Sequence, residues 1–246
     1  MNEGAMDERR TRRTDRQPLS PERIIRTAFG IVSRDGPEAL TMRRVATALA
    51  VEPMSLYHHV PSKKALLDGV AGMAIEGVGT FDDITGTWEE QVREAARRLR
   101  REMIANPRAV TLVATRPIHS EQMAVLVESA LARLVELGFE LDAASDVIWT
   151  VSDFVVGNVL NMIGSMGGAD AVLPTLEDSQ RVAETITDER FPHLVASIAA
   201  HQASRPDEHD TARFERSLDM MIAGFATRYG TRGPAATGRA RTRPDR

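Results

Sequence analysis

The chain has 246 residues, of which 42% are hydrophobic and 27% charged, and its formal net charge is −4. This composition is too apolar for a disordered chain, and the length suits one or two globular units. Because the sequence has no cysteine, disulfides, cysteine nucleophiles and thiolate metal sites are excluded, which fits a cytoplasmic location. Polar residues interrupt the most apolar stretch, residues 147–163, so we expect no membrane span and no membrane partner.

Charge is unevenly divided along the sequence. Residues 1–64 hold 12 Lys or Arg and 8 Asp or Glu, a balance of +4, whereas residues 65–246 hold 19 and 27, a balance of −8. A basic N-terminal part can approach a phosphate backbone while an acidic remainder keeps the protein soluble. Ordinary scatter of charge explains the counts equally well. The arginines at positions 9, 10, 12, 13 and 16 lie in a flexible basic arm, residues 1–17, which suits either the minor groove of DNA or a solubilising tail.

Helical periodicity dominates the sequence, and aromatic residues make up only 4% of it, so we predict an all-α protein. Ser20-Pro21-Glu22 begins the first helix with an N-cap, a proline and an acid, and Gly36-Pro37 ends it. Thr41 caps a second helix, whose inner face carries Val45 and Leu49. The inner face of the first helix is predicted to be Ile24, Ala28, Ile31 and Val32.

A tight turn at residues 50–53 separates the second helix from a very short third helix, Met54–Val60, and Ser62 caps a fourth. This order predicts a helix-turn-helix, in which Leu56 and Val60 face inward and the rest of the short helix faces DNA. The side chains that can meet base edges or phosphates are polar, cationic or small and apolar. They are Thr41, Arg43, Pro53, Met54, Ser55, Tyr57, His58, His59 and Lys63.

Four further helices are predicted along the remaining sequence, at residues 88–105, 121–137, 142–163 and 212–228. Residues 164–188 are rich in glycine, acids and threonine and are predicted to form a loop with a marginal helix inside it. Residues 230–246 are predicted to be a disordered tail, since they cannot bury enough surface to order themselves.

The run from Leu40 to Asp68 resembles the N-terminal domain of TetR-family transcriptional regulators. The likeness is strongest in Leu56-Tyr57-x-His59-Val60-x-x-Lys63 and in the following Ala65-Leu66-Leu67-Asp68. Ala50 is a departure, because many members have glycine in this turn.

The resemblance continues through residues 20–230, towards the tetracycline-repressor subgroup of the family. It is carried by Thr115-Arg116-Pro117, Leu137-Gly138-Phe139-x-Leu141 and Asp153-Phe154-x-x-Gly157-x-Val159-Leu160. It implies a homodimer that binds double-stranded operator DNA and responds to a small molecule. Residues 18–66 would then form the helix-turn-helix domain, and residues 67–229 a helical effector-binding and dimerisation domain.

In that subgroup a histidine three residues before Thr-Arg-Pro binds a magnesium chelate of tetracycline, and a carboxylate after Val-Leu of the long helix supports the metal. The corresponding residues here are Leu112 and Asn161, which supply no ligand and only a neutral oxygen. The positions that meet the drug fall near Val78 and Ala95. We therefore expect no metal and no cofactor, and an apolar or aromatic effector other than magnesium-tetracycline.

The candidate effector residues fall into two groups. The apolar group can line a pocket or be ordinary core; it consists of Leu99, Leu112, Val113, Trp149 and Met162. The second group includes Thr115, Arg116 and Pro117, a segment that the resemblance places between effector and DNA, although Arg116 could also be a structural helix cap. Asp153, Asn158 and Asn161 need partners if they are buried, either a ligand or the other subunit.

The sequence lacks the common catalytic signatures. It has no Gly-x-Ser-x-Gly, no Gly-x-x-x-x-Gly-Lys, no His-Glu-x-x-His and no strand-flanked Gly-x-Gly-x-x-Gly, so we expect that the chain is not an enzyme. A protein-interaction module built from the C-terminal bundle is the main alternative to a regulator. It would have no reason to carry Ser55, Tyr57, His59 and Lys63 on one surface.

Overall fold

The computed structural model describes residues 18–116, 120–165, 185–187, 189–202 and 206–230. Within these ranges all regular structure is helical, which confirms the predicted all-α class. The α-helices are α1 Pro21–Asp35, α2 Met42–Leu49, α3 Pro53–Tyr57, α4 Lys63–Met73, α5 Trp88–Ala105, α6 Val110–Thr115, α7 Glu121–Glu136, α8 Leu141–Ser165, α9 Pro192–Gln202 and α10 Pro206–Tyr229. Single turns of 3-10 helix lie at Pro37–Ala39, Glu76–Val78 and Pro107–Ala109.

The predicted N-caps of the N-terminal helices are present. The side chains of Ser20, Thr41 and Ser62 accept hydrogen bonds from the backbone N–H groups of Arg23, Arg44 and Ala65, respectively. Each bond satisfies one of the N–H groups that a helix start leaves without a partner. The predicted inner face of α1 is buried at Ile24, Ala28, Ile31 and Val32.

Helix α3 is shorter than predicted. It ends at Tyr57 rather than Val60, and His58 and His59 form a turn. Val60 is nevertheless buried, and its N–H donates to the carbonyl of Leu56 at 2.8 Å. Pro61 accounts for the early end, because a proline disfavours helical geometry in the residue before it.

The turn between α2 and α3 depends on Ala50, which adopts a left-handed conformation with φ 54° and ψ 46°. Its N–H donates to the carbonyl of Thr47 at 3.1 Å, which closes the end of α2. Ala50 is the one residue other than glycine with a positive φ among those described. The turn therefore has the geometry that glycine adopts most easily, although alanine occupies it.

We expect Ala50→Gly to raise the free energy of unfolding by about 0.5 kcal/mol, since it relieves a left-handed alanine but gives the unfolded chain more freedom. Urea unfolding measures the difference. Ala132→Gly, at an exposed position inside α7, is the control and should lower stability by about 1 kcal/mol. Similar losses in both variants would contradict the strain assigned to Ala50.

The C-terminal prediction was correct for most helices and missed two, α6 and α9. α6 has only six residues, too few for helical periodicity to be recognised. α10 begins at Pro206, before the predicted residue 212, and α8 extends through Ser165 into the predicted loop. The rest of that loop, apart from residues 185–187, lies outside the described residues. So do the predicted arm at 1–17, Pro117 and the tail beyond Gly230.

Helix α8 is the centre of the C-terminal bundle, where it packs against α5, α6, α7 and α10. Leu141–Gly164 is long and apolar enough to cross a membrane by length and composition alone. Its face at Ala144, Val147, Val151, Val155 and Val159 is buried inside the bundle, as expected for a core helix. Helix α4 packs against α1 on one side and against α6 and α7 on the other, and so connects the N-terminal helices to this bundle.

Candidate nucleic-acid interface and effector cavity

Helix α3 has a buried side and a strongly exposed side. Leu56 is 0% exposed and anchors the helix on the N-terminal core, whereas Met54 is 71% and Tyr57 43% exposed. Met54 and Tyr57 are three residues apart in the helix and therefore lie on one face, so the two exposed side chains are neighbours. The exposed side of α3 therefore presents a thioether and a phenol to solvent, both able to contact base edges.

Two cations beside α3 have no carboxylate partner among the described residues, although their sequence neighbours do. Arg44 is bonded to Asp35, but Arg43 makes no ion pair within those ranges. Lys64 bonds Asp68 at 3.1 Å, whereas Lys63, the first residue of α4, has no such contact in the same part of the chain. Arg43 and Lys63 are therefore available for an external anion, and Lys63 also lies at a helix N-terminus, where anions are favoured.

The remaining predicted DNA-contacting residues lie in α3 or directly beside α2 or α3. His58 and His59 are exposed, while Pro53 and Ser55 are half-buried. Thr41 is exposed, but its hydroxyl already caps α2. At the start of α1, the hydrogen bond from Ser20 is the main cause that holds the pKa of Glu22 below its usual value, and the charge of His59 makes only a minor contribution.

A cavity lies between α5, α6, α7 and α8, with an enclosed volume of about 160 Å³ and a mouth that opens to solvent. Sites that bind small molecules are typically concave and mostly apolar. Most of the lining is aliphatic, with Phe81 and Trp149 as aromatic contributions. The lining residues are Ile75, Val78, Phe81, Val92, Ala95, Ala96, Leu99, Val113, Ala114, Met123, Leu126, Val127, Ala130, Arg133, Leu134, Val147, Ile148, Trp149, Val151, Ser152, Asp153 and Val156.

Some of the predicted effector residues line this cavity and others do not. Leu99, Val113, Trp149 and Asp153 belong to the lining. The structure places Leu112, Thr115, Arg116, Asn158, Asn161 and Met162 outside it, and Pro117 is not among the described residues. Sequence reasoning missed Arg133 and Ser152, which sit among apolar residues at positions with no motif of their own.

Asn158 has a partner within the chain. Its Oδ1 accepts from Arg100 Nε at 2.9 Å, and Arg100 Nη2 lies 2.5 Å from an oxygen of Asp210. The contacts join α8, α5 and α10. Asn158 thus satisfies its polar side chain in the bundle, where sequence reasoning expected a ligand or a second subunit.

Arg116 connects the cavity side of the bundle to α4. It follows the last residue of α6, and its Nη1 lies 2.6 Å from Asp68 Oδ1. Burial acts to raise the pKa of Asp68, but the hydrogen bonds and charges of Arg116 and Lys64 outweigh it and lower that pKa below its ordinary value. Asp68 is therefore ionised at neutral pH and held by two cations from different elements.

The residues at the magnesium-tetracycline positions do not fit that ligand. Leu112 is buried and apolar, and Asn161 is exposed near the end of α8, outside the cavity lining. The described part of the chain has no group of three or more His, Asp or Glu arranged to hold a metal ion. Val78 and Ala95 do line the cavity, but they offer no polar atom from their side chains.

Both parts of the chain match known protein families. "Bacterial regulatory proteins, tetR family" matches residues 24–70, and "Tetracyclin repressor-like, C-terminal domain" matches residues 82–229. The class A tetracycline repressor of Escherichia coli transposon 1721 is 31% identical over 85% of this chain and 92% of its own length. An HTH-type transcriptional regulator of Saccharopolyspora erythraea is 29% identical over 86% of each chain.

Solved structures share the fold as well. ActR, a TetR family protein of Streptomyces coelicolor solved in complex with actinorhodin, superimposes with a TM-score of 0.71 at 28% identity, over 87% of this chain and all of its own. The relatives named here are transcriptional regulators, which agrees with the expectation that the chain is not an enzyme. α2 and α3 are the helix-turn-helix of the N-terminal match, and the cavity lining apart from Ile75, Val78 and Phe81 lies in the C-terminal match. The chain belongs to the TetR family of bacterial transcriptional regulators.

Proposed function

We propose that this protein is a homodimeric repressor that acts in the cytoplasm, occupies a near-palindromic operator and leaves it when a small molecule binds. The observation that carries the proposal is the pair of cations Arg43 and Lys63, which have no carboxylate partner among the described residues and lie beside the exposed Met54 and Tyr57 of α3. In a dimer, two such surfaces can enter successive major grooves about 34–36 Å apart. Occupation of a promoter in this way blocks transcription.

Dimerisation is supported by the outer faces of α8 and α10. A Cβ atom added at Gly157, Gly164 or Gly224 would meet nothing within 4 Å. Glycine inside an exposed helix costs about 1 kcal/mol relative to alanine, so its use here favours close approach by another helix. Met220 on α10 is 69% exposed and would be covered by the same contact.

The effector is proposed to be an apolar or aromatic molecule other than magnesium-tetracycline. The mostly aliphatic lining of the cavity supports this, as does the absence of metal-binding chemistry at Leu112 and Asn161. ActR, which has the same fold, is solved with the organic molecule actinorhodin.

Coupling between cavity and DNA is proposed to run through α6 and α4. Val113 and Ala114 of α6 line the cavity, Arg116 at its end bonds Asp68 of α4, and α4 begins with Lys63. A ligand that fits the cavity better when α6 has shifted therefore also biases the position of Lys63. It can change the DNA affinity only by the difference between its affinities for the two states.

The test is to select bound fragments from sheared host DNA with the purified protein and to sequence them at two salt concentrations. We expect a palindromic motif that persists at the higher salt and lies beside a promoter. Binding that is abolished by salt and yields no motif would contradict the repressor function. It would favour the protein-interaction module, because nonspecific contact with phosphates is purely electrostatic.

A further inference from the structure

Three polar side chains interrupt the apolar wall of the cavity: Arg133 of α7, and Ser152 and Asp153 of α8. Arg133 is the only cation in the lining described above. Its side chain is 32% exposed, so solvent hydrates part of its charge, and an acidic ligand can replace that solvent. The contacts that Arg133 already makes show how much of its charge a ligand could match.

A neutral, buried group orients Arg133. Its Nε donates to Gln91 Oε1 at 2.7 Å, and Gln91 is only 1% exposed. The amide of Gln91 is itself fixed, because its Nε2 donates to the carbonyl of Gly86 at 2.8 Å. This arrangement sets the direction of the guanidinium without neutralising it.

The only carboxylate that bonds Arg133 among the described residues is Glu136, 3.1 Å from Nη1. Glu136 is exposed and three residues away on the same helix, so this pair contributes little. Two other arginines of the bundle each pair with a carboxylate through two bonds: Arg97 forms two bonds of 2.8 Å to Glu215, and Arg98 bonds both oxygens of Asp83. Arg133 differs in having an amide where these arginines have a carboxylate.

We infer that the effector is an apolar organic acid, whose anionic group bonds the guanidinium of Arg133 while its hydrophobic or aromatic body fills the rest of the cavity. A carboxylate, a sulfonate or an ionised phenol would serve, since each accepts charge-assisted hydrogen bonds. Asp153 disfavours a second negative group and can accept a hydrogen bond from a ligand hydroxyl. The inference rests on the proposed function of the cavity as the effector site.

The test uses two fluorescent probes with the same body: 8-anilinonaphthalene-1-sulfonate, which is anionic, and N-phenyl-1-naphthylamine, which is neutral. We expect Arg133→Gln to weaken binding of the sulfonate about tenfold to a hundredfold, the value of a charge-assisted hydrogen bond. Binding of the neutral probe should be unchanged. Arg133→Lys, which keeps the charge, should lose less affinity for the sulfonate than Arg133→Gln does. Asp153→Asn should leave the sulfonate affinity unchanged or raise it.

Arg101→Gln, at an exposed position on α5, removes the same charge outside the cavity and should leave binding of both probes unchanged. Ala114→Phe narrows the cavity at a half-buried lining position and should weaken the binding of both probes. If both probes bind Ala114→Phe as they bind the unmodified protein, the cavity is not a ligand site and the proposed effector response fails. If Ala114→Phe blocks both probes but Arg133→Gln binds the sulfonate normally, only the assignment of an acidic effector is overturned.

Discussion

We expect a protein with both Tyr57 and Lys63 replaced by alanine to bind the proposed operator about a hundredfold more weakly, or worse, than the unmodified protein. Each alanine would remove a proposed contact to a base or phosphate worth about 1 kcal/mol or more, and the proposed dimer would lose every contact twice. Folding is hardly affected, because Tyr57 is 43% exposed and Lys63 lies on the surface without an ion pair among the described residues.

Fluorescence anisotropy with labelled operator measures this loss, and sedimentation verifies that the oligomeric state is unchanged. The single Lys63→Ala variant should also lower the slope of log affinity against log salt by about one for each subunit. Lys64→Ala is the matched control. It removes the same charge one residue further on, but from a lysine that already pairs with Asp68, so its effect on the operator should be much smaller. Equal effects of the two lysines would contradict the proposed docking.

The second large effect concerns stability. Arg116→Ala should lower the free energy of unfolding at neutral pH by about 1–2 kcal/mol, because it leaves a largely buried carboxylate, Asp68, with only one of its two cations. Part of the full value of a buried pair is lost to solvent screening, since the Arg116 side chain is 21% exposed. Urea unfolding at a fixed protein concentration measures the difference.

The pH dependence of this effect has a definite sign. The pKa of Asp68 is lower in the folded protein than its ordinary value of 3.8, so the stabilisation is complete above that value and is lost as pH falls through the folded pKa. The difference in free energy of unfolding between the unmodified protein and Arg116→Ala should therefore become smaller as the pH falls. The double variant Arg116→Ala with Asp68→Asn should lose less free energy of unfolding than the sum of the losses in the two single variants. Additive losses or a pH-independent gap would exclude the ion pair as the cause.

The N-terminal fold was predictable to within a few residues because its signals are local. Ser20, Thr41 and Ser62 cap helices as expected, since capping involves groups only three residues apart. The early end of α3 was missed, although Pro61 provides the reason for it. The outward side of α3 followed from the burial of Leu56 and Val60 alone.

The cavity was less predictable because its wall is built from four helices whose packing is not local. The candidates Leu99 and Val113 line it, but Leu112, the neighbour of Val113, is core outside the lining. Residues one apart on a helix point in different directions, and periodicity does not identify which of two apolar faces meets a void. The roles of Asn158 and Arg133 depend on Arg100 and Gln91, 58 and 42 residues away in sequence.

The positions of the two tryptophans give the protein an intrinsic optical signal. The chain contains only two, of which Trp88 is buried against Phe139 and Trp149 is 38% exposed in the cavity wall. Their emission therefore consists of a blue component from the core and a red component from the cavity. A molecule that enters the cavity removes water from Trp149 and leaves the surroundings of Trp88 unchanged. The emission maximum and the fluorescence intensity of the unlabelled protein therefore shift in proportion to the occupancy of the cavity.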